Sequence, residues 1–175
     1  APCIFSTSSM VGPKEFAGPL SNYFDQYTDD IYFGEKTFEK AESRMLNECI
    51  NHLITKSGIN EKDIDLIFSG DLLNQCISSS FGLRELNIPF FGIFGACSTF
   101  VEGLSLGAVF IESCAEHILC AASSHFCSAE KQFRFPLELG NQRPPSSQWT
   151  VTGSGCAILS KNGNGPYITT LTPGK

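Results

Sequence analysis

Apolar positions along this chain fall into two kinds of run, and their spacing predicts the elements. In residues 37–57, apolar side chains recur at Phe38, Ala41, Met45, Leu46, Cys49, Ile50, Leu53 and Ile54. This is the three-and-four spacing of one helix face. Thr37 is placed to cap the start of that helix and Gly58 to close its end. Residues 75–86 read as a second helix. Residues 97–115 read as a third, with apolar and small side chains nearly all round, the pattern of a helix buried on several sides. Short apolar runs at 3–6, 64–69, 89–95, 117–123, 149–160 and 167–171 read as strands. Strands alternating with helices predict a mostly parallel sheet with right-handed crossovers. Between residues 23 and 33 aromatic and acidic side chains alternate irregularly, and this stretch is expected to pack through its rings. Residues 124–148 predict a loop of about 25 residues, a length that is usually functional inside a compact domain.

Composition narrows the class. The chain has 175 residues with 42% hydrophobic and 17% charged content, enough for one domain with a sizeable core. A net charge of −6 and a pI of about 5.0, with Lys and Arg scattered, exclude a phosphate-neutralising stripe, so no nucleic-acid partner is expected. No apolar run approaches the roughly 18 residues of a spanning helix. The first ten residues lack a basic region, so no secretory signal is expected there. Eight cysteines in so apolar a chain read as small hydrophobes in a reducing, intracellular compartment rather than as a disulfide frame.

The candidate chemistry centres on Gly95-Ala96-Cys97. A strand that ends there and enters a helix sets the cysteine at a helix N-terminus, where free N–H groups and the macrodipole favour an anion. A thiolate is such an anion, and its pKa is expected to fall. The layout follows the logic of a nucleophile elbow without the glycine two residues on. The same residue also reads as one more buried small hydrophobe. Of the three histidines, His52 reads as a solvated helix residue and His117 as a strand opener beside Glu116. His125 follows a strand's carboxyl end, where ligand sites of α/β sheets gather. Asp71, Asn74 and Gln75 follow another strand end and read either as a polar wall or as helix caps. The run Cys114, His117, Cys120, His125, Cys127 invites a metal reading. His117 and Cys120 point to opposite faces of a strand, however, and paired knuckles are lacking, so no metal and no cofactor is expected.

Several long segments carry a family resemblance. FFGIFGACST (90–99), SGDLLNQ (69–75), AASSHFCSAEKQFRFPLE (121–138) and QRPPSSQWTVTGSGCAILS (142–160), with VGPKE and GPL near the front and FEKAE in the first helix, resemble the stage V sporulation protein AD family. That family is similar to thiolases and ketoacyl synthases, which contain two βαβαβαββ halves. The resemblance implies an α/β fold: one thiolase-like N-terminal half-domain over 1–175, a mixed sheet with helices on both faces, with the second half absent. It implies that Cys97 stands at the thiolase nucleophile position as a relic, and that the histidines of the second half are missing. A second half lost by cleavage or truncation, or supplied as a separate chain, is then expected.

The implied function is binding of dipicolinic acid for its uptake into the developing spore, without catalysis. The alternative is an acyltransferase using Cys97. Implied partners are dipicolinate, the C-terminal half, a second copy in a homodimer, and sporulation membrane proteins of the same operon. The implied location is peripheral, at the inner membrane of the forespore or spore. Ligand contacts are expected from Cys97, His125, Asp71, Gln75, Arg134 and Arg143, with Lys131 as a further cation. An arginine fork suits two carboxylate oxygens. Trp149 or Phe133 is expected to stack on the pyridine.

Overall fold

In the computed structural model, residues 1–133, 146 and 149–174 are described, with the backbone alone at Asn74 and Phe133. The principal strands are β1 (Cys3–Val11), β2 (Gln26–Tyr27), β3 (Leu66–Asp71), β4 (Phe90–Gly92), β5 (His117–Ser124) and β6 (Gly153–Ser160). The helices are α1 (Pro13–Phe16), α2 (Phe38–Ser57), α3 (Ile77–Leu83), α4 (Thr99–Ser113) and α5 (Phe126–Phe133). The six strands form one sheet in the order β2-β1-β6-β5-β3-β4. β3 lies parallel to β4 and β5, whereas β6 runs antiparallel between β1 and β5. The sheet is therefore mixed, and the expected βαβαβαββ order is present.

Strand alternation divides the core in two, because successive side chains point to opposite faces. Met10, Ile67, Leu119, Ala121, Cys156 and Ile158 pack under α2 and α3, around Met45, Leu46, Cys49, Ile50 and Leu53. Leu66, Phe68, Ile118, Cys120 and Leu159 pack on the opposite face against Ala108 and Ile111 of α4. Thr37 caps α2 through its Oγ1, which accepts the Lys40 N–H at 3.3 Å. Gly58 ends the helix in the left-handed region at φ 73°, with open space where a side chain would sit. Gly58→Ala is therefore expected to cost about 1 kcal/mol through backbone strain alone. A urea melt checks this, and an unmoved midpoint would show that the turn relaxes freely.

Four expectations are corrected. The first strand reaches Val11 rather than stopping at residue 6, because its polar run 6–9 is paired throughout with β6. The expected strand at 167–171 contributes only an isolated bridge between Cys3 and Tyr167. The expected loop from 124 begins as the two-turn helix α5, too short for its apolar period to show in the sequence. The third helix is buried on one side only. Gly103, Gly107, Ala108 and Ile111 face the sheet, while Val101, Leu106 and Val109 stand exposed. Among the described residues no helix is long and apolar enough to cross a membrane.

Candidate functional site

The carboxyl ends of β1, β3, β4 and β5 and the start of β6 share one edge of the sheet, as the pairings Val11–Gly153, Ser124–Gly153, Asp71–Ser123 and Ser69–Gly92 require. Most described candidate residues lie along that edge. Three strand spacings separate β6 from β4, roughly 14 Å. The edge therefore holds two separate places, one around Cys97 and one around Trp149, and a single small ring does not span them.

At the first place, the chain leaves β4 and makes a single 3-10 turn, Ala96–Ser98, before α4 begins. Cys97 is exposed at that turn rather than buried. Ala96 before it sits in the left-handed region at φ 48°, a conformation that costs a residue with a Cβ about 1 kcal/mol or more. Local bonds hold the turn: the Gly95 N–H donates to Thr99 Oγ1 at 3.0 Å, that hydroxyl donates to the Ala96 carbonyl at 2.9 Å, and Ser98 Oγ donates to the Gly95 carbonyl at 2.7 Å. The neighbouring turn after β3 is strained too, with Gln75 at φ 67° and Cys76 at φ 50°. The two turns meet where the Cys76 thiol donates to the Ile93 carbonyl at 3.3 Å. Gln75 is exposed there.

Asp71 does not form a polar wall. It is buried beneath the turn, where Oδ1 accepts the Leu73 N–H at 2.9 Å and Oδ2 accepts the Ser79 N–H and hydroxyl, both at 2.7 Å. This is the capping role of an Asx side chain. The Asn74 backbone lies in the same turn.

His125 is fully buried, and both ring nitrogens are engaged. Nδ1 accepts the Cys127 N–H at 3.2 Å, so Nε2 carries the hydrogen and donates to the Ile31 carbonyl at 2.8 Å. That assignment follows from the bonds. Burial lowers its pKa, against smaller opposing effects of the Ile31 carbonyl, Glu15 and Glu39, which keeps the ring neutral. His52 is half-buried with Nδ1 2.9 Å from Ser8 Oγ, and His117 Nδ1 lies 2.6 Å from Ser160 Oγ, not on Glu116. The sequence suggests solvent and Glu116 for these two because it does not show which strands flank them.

At the second place, Trp149 is half-exposed. The Lys14 ammonium sits 3.2 Å from its ring centroid and Phe126 packs against it at 4.6 Å. Both contacts engage the indole ring that was expected to take a pyridine. Lys131 is paired with Glu39 at 3.3 Å. Arg134 and Arg143 lie outside the described residues, as does the Phe133 side chain. Sequence reasoning missed Lys14, whose signal was the short Pro-Lys-Glu helix α1. It also missed the buried Glu42, an acid on the apolar stripe of α2 between Ala41 and Met45. Among the described residues no three His, Cys, Asp or Glu side chains gather as a metal group.

A groove of about 570 Å³ runs between α2 and α3, away from Cys97, lined in part by Glu35, Lys40, Arg44, Phe81, Arg84 and Glu85. Its arginines already face carboxylates, Arg44 those of Glu35 and Glu48 and Arg84 that of Glu85.

Comparison with known proteins fits this geometry. A family model described as stage V sporulation protein AD matches residues 1–175. The stage V sporulation protein AD of Bacillus subtilis (strain 168) is 39% identical over 171 residues, covering 97% of this chain and 51% of that protein. The β-ketoacyl-[acyl-carrier-protein] synthase III of Chlorobaculum tepidum is 39% identical over 82 residues, 43% of this chain and 25% of that protein. Among solved structures, the 3-oxoacyl-[acyl-carrier-protein] synthase III of Aquifex aeolicus VF5 superposes with a TM-score of 0.61 at 16% identity, covering 94% of this chain and 55% of that one. The priming β-ketosynthase of the R1128 polyketide pathway gives 0.60 at 17% identity, covering 94% and 51%. At such identities the likeness shows the fold. The chain spans about half the length of the Bacillus subtilis relative.

Proposed function

The chain belongs to the stage V sporulation protein AD family and has a thiolase-like fold, and from that membership we propose that it binds dipicolinic acid for uptake into the developing spore. The observation that carries the reading is the exposed turn at Cys97. A helix start faces outward there, at a sheet edge, beside a second strained turn; the Ser98 and Thr99 N–H groups are bonded within the turn, so the pull on a carboxylate comes from the positive end of the helix dipole. Binding without catalysis is supported by the histidines, since His52, His117 and His125 are each bonded elsewhere. Lys14 is a cation at the separate place around Trp149, and Arg134 and Arg143 belong to the sequence between α5 and Trp149.

The partners we propose follow from the exposed apolar side chains. Val101 and Val109 on α4, with Phe91 and Phe94 at the β4 edge, suit a second thiolase-like half, on the same or a separate chain, and a second copy in a homodimer. Sporulation membrane proteins of the same operon and a peripheral place at the spore inner membrane complete the proposal. This chain alone is then not a stable monomer; a sharp monomeric peak with a cooperative melt would overturn that. Calorimetry with dipicolinate on the chain together with its second half is expected to give binding heat, and no heat at millimolar ligand would sink the binder.

One observation favours a second reading, acyl transfer. Cys97 is the exposed thiol beside the strained Ala96, and strain of this kind gathers at active sites. Fast, selective alkylation of Cys97 by iodoacetamide at neutral pH would favour it.

A further inference from the structure

Two buried carboxyl groups lie under the strained turn, and neither has a basic partner among the bonds they make. Glu42 of α2 is fully buried. Its Oε1 accepts the Ser123 hydroxyl at 3.0 Å and its Oε2 the Ser128 hydroxyl at 2.9 Å. One side chain thus ties α2 to the end of β5 and to α5. The Ser78 hydroxyl of α3 is also fully buried and lies beside Glu42. Asp71 acts on Glu42 through its charge and spends its own oxygens on Leu73 and Ser79.

The other titratable groups on the surrounding elements are few. α3 has none and β3 only Asp71. β5 carries His117 and Cys120, and α5 carries Cys127, Glu130 and Lys131. Just before α5, His125 is held neutral. Glu39 at the start of α2 is paired with Lys131. Ser123, which donates to Glu42, is the register partner of Asp71 on the adjoining strand, so the two acids share one buried neighbourhood without a cation, where a second negative charge is costly, and the least costly arrangement leaves Glu42 protonated. Two backbone N–H groups and the Ser79 hydroxyl donate to Asp71, whereas the donors to Glu42 are serine hydroxyls alone, which serve a carboxylic acid equally well.

We propose that Glu42 holds its proton in the folded protein, and that this proton positions the 72–79 turn beside Cys97 through the neighbouring Asp71. When the proton leaves to solvent, the second negative charge repels Asp71, and the Asp71 contacts to Leu73 and Ser79 loosen. Glu42 is a positioning residue: it touches no ligand and acts through Asp71. Only the functional consequence rests on the Cys97 turn as ligand site, and the tests below contain no dipicolinate, so the two ideas fail separately.

The titration supports the geometry. Burial pushes the Glu42 carboxyl up to about 7, with the Asp71 charge adding to it and the serine hydroxyls opposing. The folded protein therefore binds this proton more tightly than the unfolded chain does. Its stabilising effect is fully present below the ordinary carboxylate value and is lost as pH rises through about 7.

Carboxyl carbon NMR of the glutamate-labelled protein is expected to show one glutamate titrating near neutrality, absent in Glu42→Gln. If every glutamate titrates in its ordinary range, the proposal is wrong, and this measurement needs no variant to fold. Amide exchange of residues 72–79, corrected for intrinsic rates, is expected to speed up about tenfold between about pH 6 and about pH 8.5 in the wild-type protein and to stay slow in Glu42→Gln. Protection that is independent of pH in the wild type, or the same pH dependence in the variant, would overturn it.

Discussion

Gly70→Ala is expected to lower stability by about 3 kcal/mol or more, the largest loss from adding a single methyl group at the site edge. A Cβ at this position would stand 2.1 Å from the Ile93 carbonyl oxygen and 2.7 Å from Thr99 Cγ2. The oxygen is backbone, and its surroundings do not let it yield. The Ile93 N–H donates to the Ser69 carbonyl at 3.0 Å, the Ile93 side chain is buried under α4, and its carbonyl accepts the Cys76 thiol. Relief then requires β3 and the β4–α4 turn to move apart, carrying the Cys97 turn with them. In a chain of this size the loss corresponds to a melting point lower by about 10 °C. Scanning calorimetry decides it. A shift of less than about 2 °C would mean that the two turns slide past each other freely, and Cys97 would then lose its claim to a fixed geometry.

The second large effect is expected at Asp71. Asp71→Ala strands two buried amides, Leu73 and Ser79, and removes the acceptor of the Ser79 hydroxyl. Each stranded buried amide costs about 1–3 kcal/mol, so the loss is about 4 kcal/mol. Asp71→Asn keeps one oxygen and turns its amide nitrogen toward one of the donors, so it is expected to lose about half as much. Guanidinium melts of the two variants read the order directly. Equal losses would show that the charge, not the acceptor geometry, holds the turn. Gln75 and Cys76, the strained residues, should exchange their amides faster in both variants, because the strain persists only while Asp71 holds both ends of the turn.

The long helix was legible because its period and both caps agree: Thr37 accepts the Lys40 amide and Gly58 turns left-handed. The strands β3 and β5 were legible because both of their faces are buried, which makes their runs continuously apolar. β1 was cut short because Ser6, Thr7, Ser8 and Ser9 look like a loop in isolation. Their pairing with β6, about 150 residues away, is a long-range fact that no local pattern carries. The site divided in the same way. The placement of Cys97 at a strand-to-helix corner follows from local order. The internal roles of Asp71 and His125 depend on which loops close over them, and that is tertiary. Glu42 left a local trace, an acid on an apolar stripe. Its meaning needed Ser123 and Ser128 from beyond residue 120, and Asp71 from another strand.

The position of β6 bears on how the molecule comes to exist at all. This strand is the seam of the sheet, with β1 and β2 on one side and β5, β3 and β4 on the other, yet among the described strands it comes last in chain order. As the polypeptide emerges during synthesis, β1 appears first and has no antiparallel neighbour until Gly153–Ser160 follows it. Until then the nascent chain carries two incomplete sheet pieces with open edges, and α2 lacks the β6 part of the surface it packs on. High contact order of this kind makes folding slow and leaves the intermediate open to mispairing. A stop between β5 and β6 would leave two sheet pieces unpaired with each other rather than a shorter version of the same sheet.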